Sequence, residues 1–103
     1  MTTKVVYNAC YGSFSISTEA LARMQELGFT GESVTYEKTS HVWLPDCSRH
    51  DPILVQVVEE YGRAAGDKFS HLKITTVSGP YRIEDYDGFE TVYEPGDYDW
   101  ITP

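Results

Sequence analysis

The clearest hydrophobic pattern in the chain runs from Ile53 to Arg63. Ile53, Leu54, Val57, Val58 and Tyr61 fall on one side of a helical wheel, and Gln56, Glu59, Glu60 and Arg63 fall on the other, which is the spacing of an amphipathic helix. Asp51 is a good N-cap for it, since its carboxylate can accept from the free amides of the first turn. Pro52 suits the first helical position, where no amide hydrogen is needed. A helix is therefore expected from about Pro52 to Ala65, ended or weakened at Gly62. A second helix is expected from Thr18 to about Leu27. Ser17 caps it, Glu19 meets the positive end of its dipole, and Ala20, Leu21, Met24 and Leu27 share a face. Glu19 and Arg23 are spaced to pair on the outside, and Gly28 fits the C′ position.

Between these helices the pattern changes period. Lys4–Asn8 is apolar on both faces, as in an inner strand. Leu72–Val77 alternates, with Leu72, Ile74 and Thr76 on one side. Tyr81–Tyr86 and Phe89–Tyr93 flank Asp87-Gly88, the signature of a two-residue hairpin turn. Residues 29–48 are less regular. Ser33–Lys38 reads as a strand with Val34 and Tyr36 on one face, and His41–Pro45 reads as an edge or a loop. No repeat, linker or low-complexity block interrupts the order. These elements predict a small α+β domain over residues 1–94, a mostly antiparallel sheet of about four strands with two helices on one face. Residues 95–103 are expected to form an acidic, aromatic C-terminal tail.

Composition narrows the functional classes. The 103 residues are 41% hydrophobic, as in an ordinary globular domain. No apolar run is long enough to cross a membrane. No basic stretch followed by an apolar one opens the chain, so a cytoplasmic location is expected, with Cys10 and Cys47 as reduced thiols. The formal net charge is −8. It argues against direct binding to nucleic acid or to an anionic membrane and is compatible with a partner that has a basic surface. The charge is concentrated: Glu84, Asp85, Asp87, Glu90, Glu94, Asp97 and Asp99 stand against the single base Arg82 in residues 81–103.

Several constellations bear on chemistry. The first is the acidic turn. In a two-residue hairpin Asp85 and Glu90 sit opposite each other, and like charges there repel. This implies a solvated end, a bulged three-residue turn, or a site that uses both groups. With Tyr86, Tyr93, Tyr98 and Trp100 interspersed among Glu84, Asp85, Asp87, Glu90, Asp97 and Asp99, the C-terminal edge has the composition of a protein-contact surface. The second is the mouth of the Pro52 helix. There Arg49 and His50, with Asn8 and Tyr11 from the first strand and its exit, form a candidate site for a small anionic ligand held against free amides. The bland readings are Asp51 as a cap and Arg49 as a structural partner of the acidic hairpin. Cys10, His41, Cys47 and His50 lack the paired spacing of a zinc site, and no cofactor or metal is expected. Cys10 or His50 with Glu84 as a small hydrolase lacks any recognisable motif; Cys10 is more simply a core thiol. Gly12-Ser13-Phe14-Ser15 does not match a phosphate-binding loop.

Four segments together carry a resemblance. They are Tyr7-Asn8-x-Cys10-x-x-x-Phe14-x-x-Ser17-x-Glu19-Ala20, then Arg49-His50-Asp51-Pro52-x-Leu54-Val55-x-Val57-Val58-Glu59-Glu60, then Leu72-Lys73-Ile74, and finally Ile83-x-x-Tyr86-Asp87-Gly88-x-Glu90. As a set they resemble a family of small proteins carried by bacteriophages and found in many bacteria. The resemblance brings no established chemistry and no catalytic residues. It implies a phage product acting in the host cytoplasm. The expected function is a non-enzymatic interaction protein that modulates a host defence or nucleic-acid-handling protein. The alternatives are a nucleotide-binding or sequestering protein and a small hydrolase. Exposed hairpin edges also allow a homodimer.

Overall fold

A computed structural model describes residues 2–36, 41–45, 47–67 and 69–95. The order is β1 (Thr3–Asn8), β2 (Ile16–Ser17), α1 (Thr18–Glu26), β3 (Val34–Tyr36), β4 (His41–Trp43), α2 (Pro52–Tyr61), a 3-10 turn (Gly62–Ala65), β5 (Leu72–Val77), β6 (Arg82–Tyr86) and β7 (Phe89–Tyr93). The class is α+β, as expected. The strands are more numerous than four and are divided among three small sheets: β1–β5, β2–β4–β3 and β6–β7. Every pairing is antiparallel.

The division has a local cause. His41–Trp43 is the central strand of its sheet, and burial alternates along and just past it, with Val42 and Leu44 buried and Trp43 exposed. It recruits Ile16–Ser17, just two residues long, on one side and Val34–Tyr36 on the other. The excursion between the helices thus supplies two strands of its own instead of extending a single sheet.

Both helices begin where their caps dictate. Asp51 Oδ1 accepts from the amides of Ile53 at 2.8 Å and Leu54 at 3.3 Å. Ser17 Oγ accepts from Ala20 N and donates to Ala64 O. The α-helical part of α2 stops at Tyr61, since Gly62 adopts φ +56° and the next turn tightens to 3-10. Leu54, Val55, Val57 and Val58 of α2 are buried, and the helix packs on β1 and β5. Burial of this kind contributes roughly 1.5–3 kcal/mol per large aliphatic side chain. In α1, Ala20 and Met24 enter the same core. Arg23 pairs with Glu60 of α2 and with Glu26 instead of Glu19. The helix–helix seam offers a carboxylate on each side, and Glu60 holds the guanidinium through two nitrogens.

Candidate functional site

The β6–β7 hairpin closes through a two-residue turn with positive φ at both Asp87 (+50°) and Gly88 (+87°), the primed geometry that suits strand twist. Asp85 does face Glu90 across it. The like-charge conflict is resolved by giving each carboxylate different work. Asp85 Oδ1 accepts from Gly88 N at 2.8 Å and steadies the turn. Glu90 points into the body and is only 4% exposed. Its Oε1 accepts from Arg49 Nη1 at 2.6 Å and from the Asn8 amide at 2.8 Å, and its Oε2 accepts from Arg49 Nη2 at 2.9 Å. The Arg49 guanidinium also lies 3.5 Å from the centre of the Phe14 ring.

This arrangement is possible because no described strand pairs with β1 on the side away from β5. Val6 N donates to Arg49 O at 2.8 Å, which fixes the approach to α2. Two residues on, the Glu90 carboxylate takes the Asn8 amide in place of a strand partner. The Asn8 side chain then ties three loops together. Its Nδ2 donates to Gly88 O at 2.7 Å and Cys10 O at 3.0 Å, and its Oδ1 accepts from His71 N at 2.8 Å. The loops approach so closely that a Cβ on Gly88 would collide with the Gly12 carbonyl, and one on Gly12 would collide with the Phe69 carbonyl.

Above this floor opens a cleft of about 410 Å³ lined by Gly12–Ser15, Tyr36, Trp43, Arg49, Asp85, Gly88 and Glu90. Tyr36 and Trp43 come from adjacent strands of the β2–β4–β3 sheet and are 47% and 49% exposed. Around the hairpin tip, Tyr86 and Tyr11 are each 73% exposed and stand edge to face, with Phe89 against Tyr11.

The residues expected to hold an anion do not form one pocket. Asn8 is fully buried with its amide satisfied internally, and Tyr11 packs outside, on the hairpin tip. Arg49 lies in the cleft with both terminal nitrogens held by Glu90. His50 lies in a separate groove with Tyr81, its Nδ1 2.6 Å from the Tyr81 hydroxyl. The Asp51 side chain takes amides that an anion would need. Burial raises the Tyr81 hydroxyl above the usual phenol range, against the opposing influence of Arg49.

The members of the hydrolase set are also apart in their contacts. Cys10 Sγ meets Asn8 Oδ1 and Phe69 O, His50 meets Tyr81, and Glu84 pairs with Arg82 at 2.9 Å. Among the described residues no three His, Cys, Asp or Glu side chains gather to hold a metal, and no helix is long and apolar enough to cross a membrane.

Of the acidic edge, Glu84, Asp85, Tyr86, Asp87, Glu90 and Tyr93 are placed, with Glu90 inward and the first four exposed. Tyr93 is half-buried, its ring 6.0 Å from the Arg82 guanidinium. Asp97, Tyr98, Asp99 and Trp100 lie outside the described residues. Sequence reasoning passed over the cleft's aromatic wall and Phe14. The signal for Trp43 was present, since an outward Trp between inward Val42 and Leu44 is strand alternation over three residues. No protein-family model, curated protein or solved structure matches the chain.

Proposed function

We propose that the chain is a non-enzymatic interaction protein that docks on a basic protein surface through the aromatic and acidic rim of this cleft. One observation carries the reading: Tyr36 and Trp43 stand exposed in a concavity whose Arg49 and Glu90 charges are already matched, with Tyr11 and Tyr86 exposed beside it on the hairpin tip. Tyr and Trp are the residues most often found as interface anchors. The neighbouring Asp85 and Asp87, with the net charge of −8, favour a positively charged partner and fast, steered association. A surface that ordinarily holds nucleic acid fits that description. The resemblance to phage-borne proteins supports a host defence or nucleic-acid-handling enzyme as the partner, met in the host cytoplasm.

The test is capture from host lysate at low and high salt, with wild type beside a Trp43→Ala/Asp85→Asn double variant. The expected result is a discrete protein retained by wild type at low salt, and lost at high salt and with the double variant. Equal capture by both forms would overturn the proposal.

A second reading, a small-ligand binder, is favoured by the concavity itself. A cleft of about 410 Å³ is within the usual size range of ligand sites. The prior engagement of Arg49 weighs against a phosphate-bearing ligand there. A thermal-shift panel of nucleotides separates the readings: a rise in Tm abolished by Trp43→Ala supports the ligand, and a flat response removes it.

A further inference from the structure

The cleft holds a pattern that the protein already uses once on its own side chain. Arg49 lies with its guanidinium over the Phe14 ring and its two terminal nitrogens on the Glu90 carboxylate. An aromatic face and a carboxylate together hold one planar cation. The same cleft is lined by a second set, the Asp85 carboxylate and the Tyr36 and Trp43 side chains from adjacent strands. Asp85 uses one oxygen for the turn amide of Gly88, and among the described residues no cation pairs with it. Because Glu90 neutralises Arg49, the charge left among the described residues that line the cleft is that of Asp85, which is negative.

We infer that this cleft is the seat of an arginine side chain presented by the protein partner, its guanidinium paired with Asp85 and stacked on the Tyr36–Trp43 wall. This rests on the docking function proposed above and names the group that the dock receives. Arginine fits better than lysine on physical grounds. Its planar guanidinium can offer a face to a ring and an edge to a carboxylate at once, and it is less strongly hydrated than an ammonium, so it leaves water more readily. The volume exceeds that of one guanidinium, leaving room for the aliphatic stem and its neighbours along the partner's chain. An anionic group entering the same cleft would meet Asp85, with no unmatched cation among the described lining residues to offset it.

The experiment titrates the intact chain with end-capped Gly-Arg-Gly, and with the same peptide carrying citrulline or lysine, at low salt. The readouts are the Trp43 indole and the backbone amide resonances. The arginine peptide is expected to give saturable shifts at Trp43, Asp85 and Ser13. Its dissociation constant should be on the order of millimolar, as suits one ion pair and one cation–π contact at a partly open site. Citrulline has nearly the same shape without the charge and should bind roughly fivefold or more weakly, with lysine between them. Asp85→Asn keeps an oxygen for Gly88 N and removes the charge. It should reduce arginine binding to the citrulline level while leaving the spectrum of the fold intact. Trp43→Leu tests the wall in the same way.

Equal binding of arginine and citrulline peptides, or shifts confined to residues outside the cleft, would overturn the inference. If the double variant still loses capture of the lysate protein in that case, docking through the rim stands without the arginine seat. If capture is also unaffected, both fail.

Discussion

The floor and the rim of the cleft both combine a carboxylate with aromatic rings and behave in opposite ways. On the floor, Glu90, Arg49, Asn8 and Phe14 satisfy one another: each terminal guanidinium nitrogen, each carboxylate oxygen and both ends of the Asn8 amide have a partner within the chain. On the rim, Asp85, Tyr36 and Trp43 face solvent, as do Tyr11 and Tyr86 around the tip. A charged aromatic cluster is therefore not by itself a sign of function. The floor is an internal lock joining β1, the mouth of α2 and the hairpin. Its charges are stabilising only because they are paired, and separating them would strand a buried ion. The rim side chains stand exposed, where substitutions usually change stability little.

The largest expected effect follows from breaking the lock. Glu90→Ala leaves Arg49 without its carboxylate and the Asn8 amide without an acceptor. Removing one member of such a buried pair typically costs about 3–5 kcal/mol. Urea denaturation measures it, and a loss below about 1 kcal/mol would place Glu90 with the rim. Gly88→Ala should come next. Its Cβ would be driven into the Gly12 backbone at a position with φ +87°, for a loss of about 1–3 kcal/mol. Asp51→Ala removes the helix cap at the edge of the lock and should cost about 1 kcal/mol, read in the same denaturation series.

These costs also explain which parts were legible in the sequence. The Asp51-Pro52 start, the face of α2, the Ser17 cap and the Asp-Gly turn are local signals, each set by residues within a few positions of one another. The repulsion expected between Asp85 and Glu90 was a sound deduction from local register. What removed it was Arg49, forty-one residues away, together with an amide on the unpaired edge of β1. The pairing of Arg49 with the hairpin was legible as a charge match. Its depth was not, because burial depends on how the loops at Gly12 and Gly88 pack. Asn8 read as a ligand residue for the same reason, since a buried knot and a binding site use the same polar side chain. The three-sheet division was hidden because β2 is only two residues long and pairs with a strand twenty-four or more positions later.

The rim variants sharpen the contrast from the other side. Trp43→Ala and Asp85→Asn should each lie within about 0.5 kcal/mol of wild type in the denaturation experiment, the usual range for exposed substitutions. Binding to the captured partner should nevertheless fall, most steeply at low salt. If either variant proved as destabilising as Glu90→Ala, floor and rim would be one structural unit and the functional distinction would disappear.

The smallest effect uses Cys47 as a reporter of the floor. Its thiol is half-buried near the mouth of α2 and is pushed up to about 11, first by burial and then by the charge of Asp51, with Arg49 acting in the opposite direction. The thiolate is the reactive form, so alkylation in the native state at pH 8 should be roughly a hundredfold slower than for an unfolded thiol, and should accelerate as the pH approaches 11. The linkage has a definite sign. Between the unfolded value near about 8.5 and the folded one, the native chain keeps a proton that the unfolded chain has released, so rising pH favours unfolding over that window. Cys47→Ser should flatten this alkaline slope. Arg49→Met removes the one charge that favours the thiolate and should make Cys47 slower still, provided the variant remains folded. Alkylation faster than wild type under native conditions would mean that losing Arg49 opens the floor to solvent, and that the lock shields this part of the core as well as tying the hairpin down.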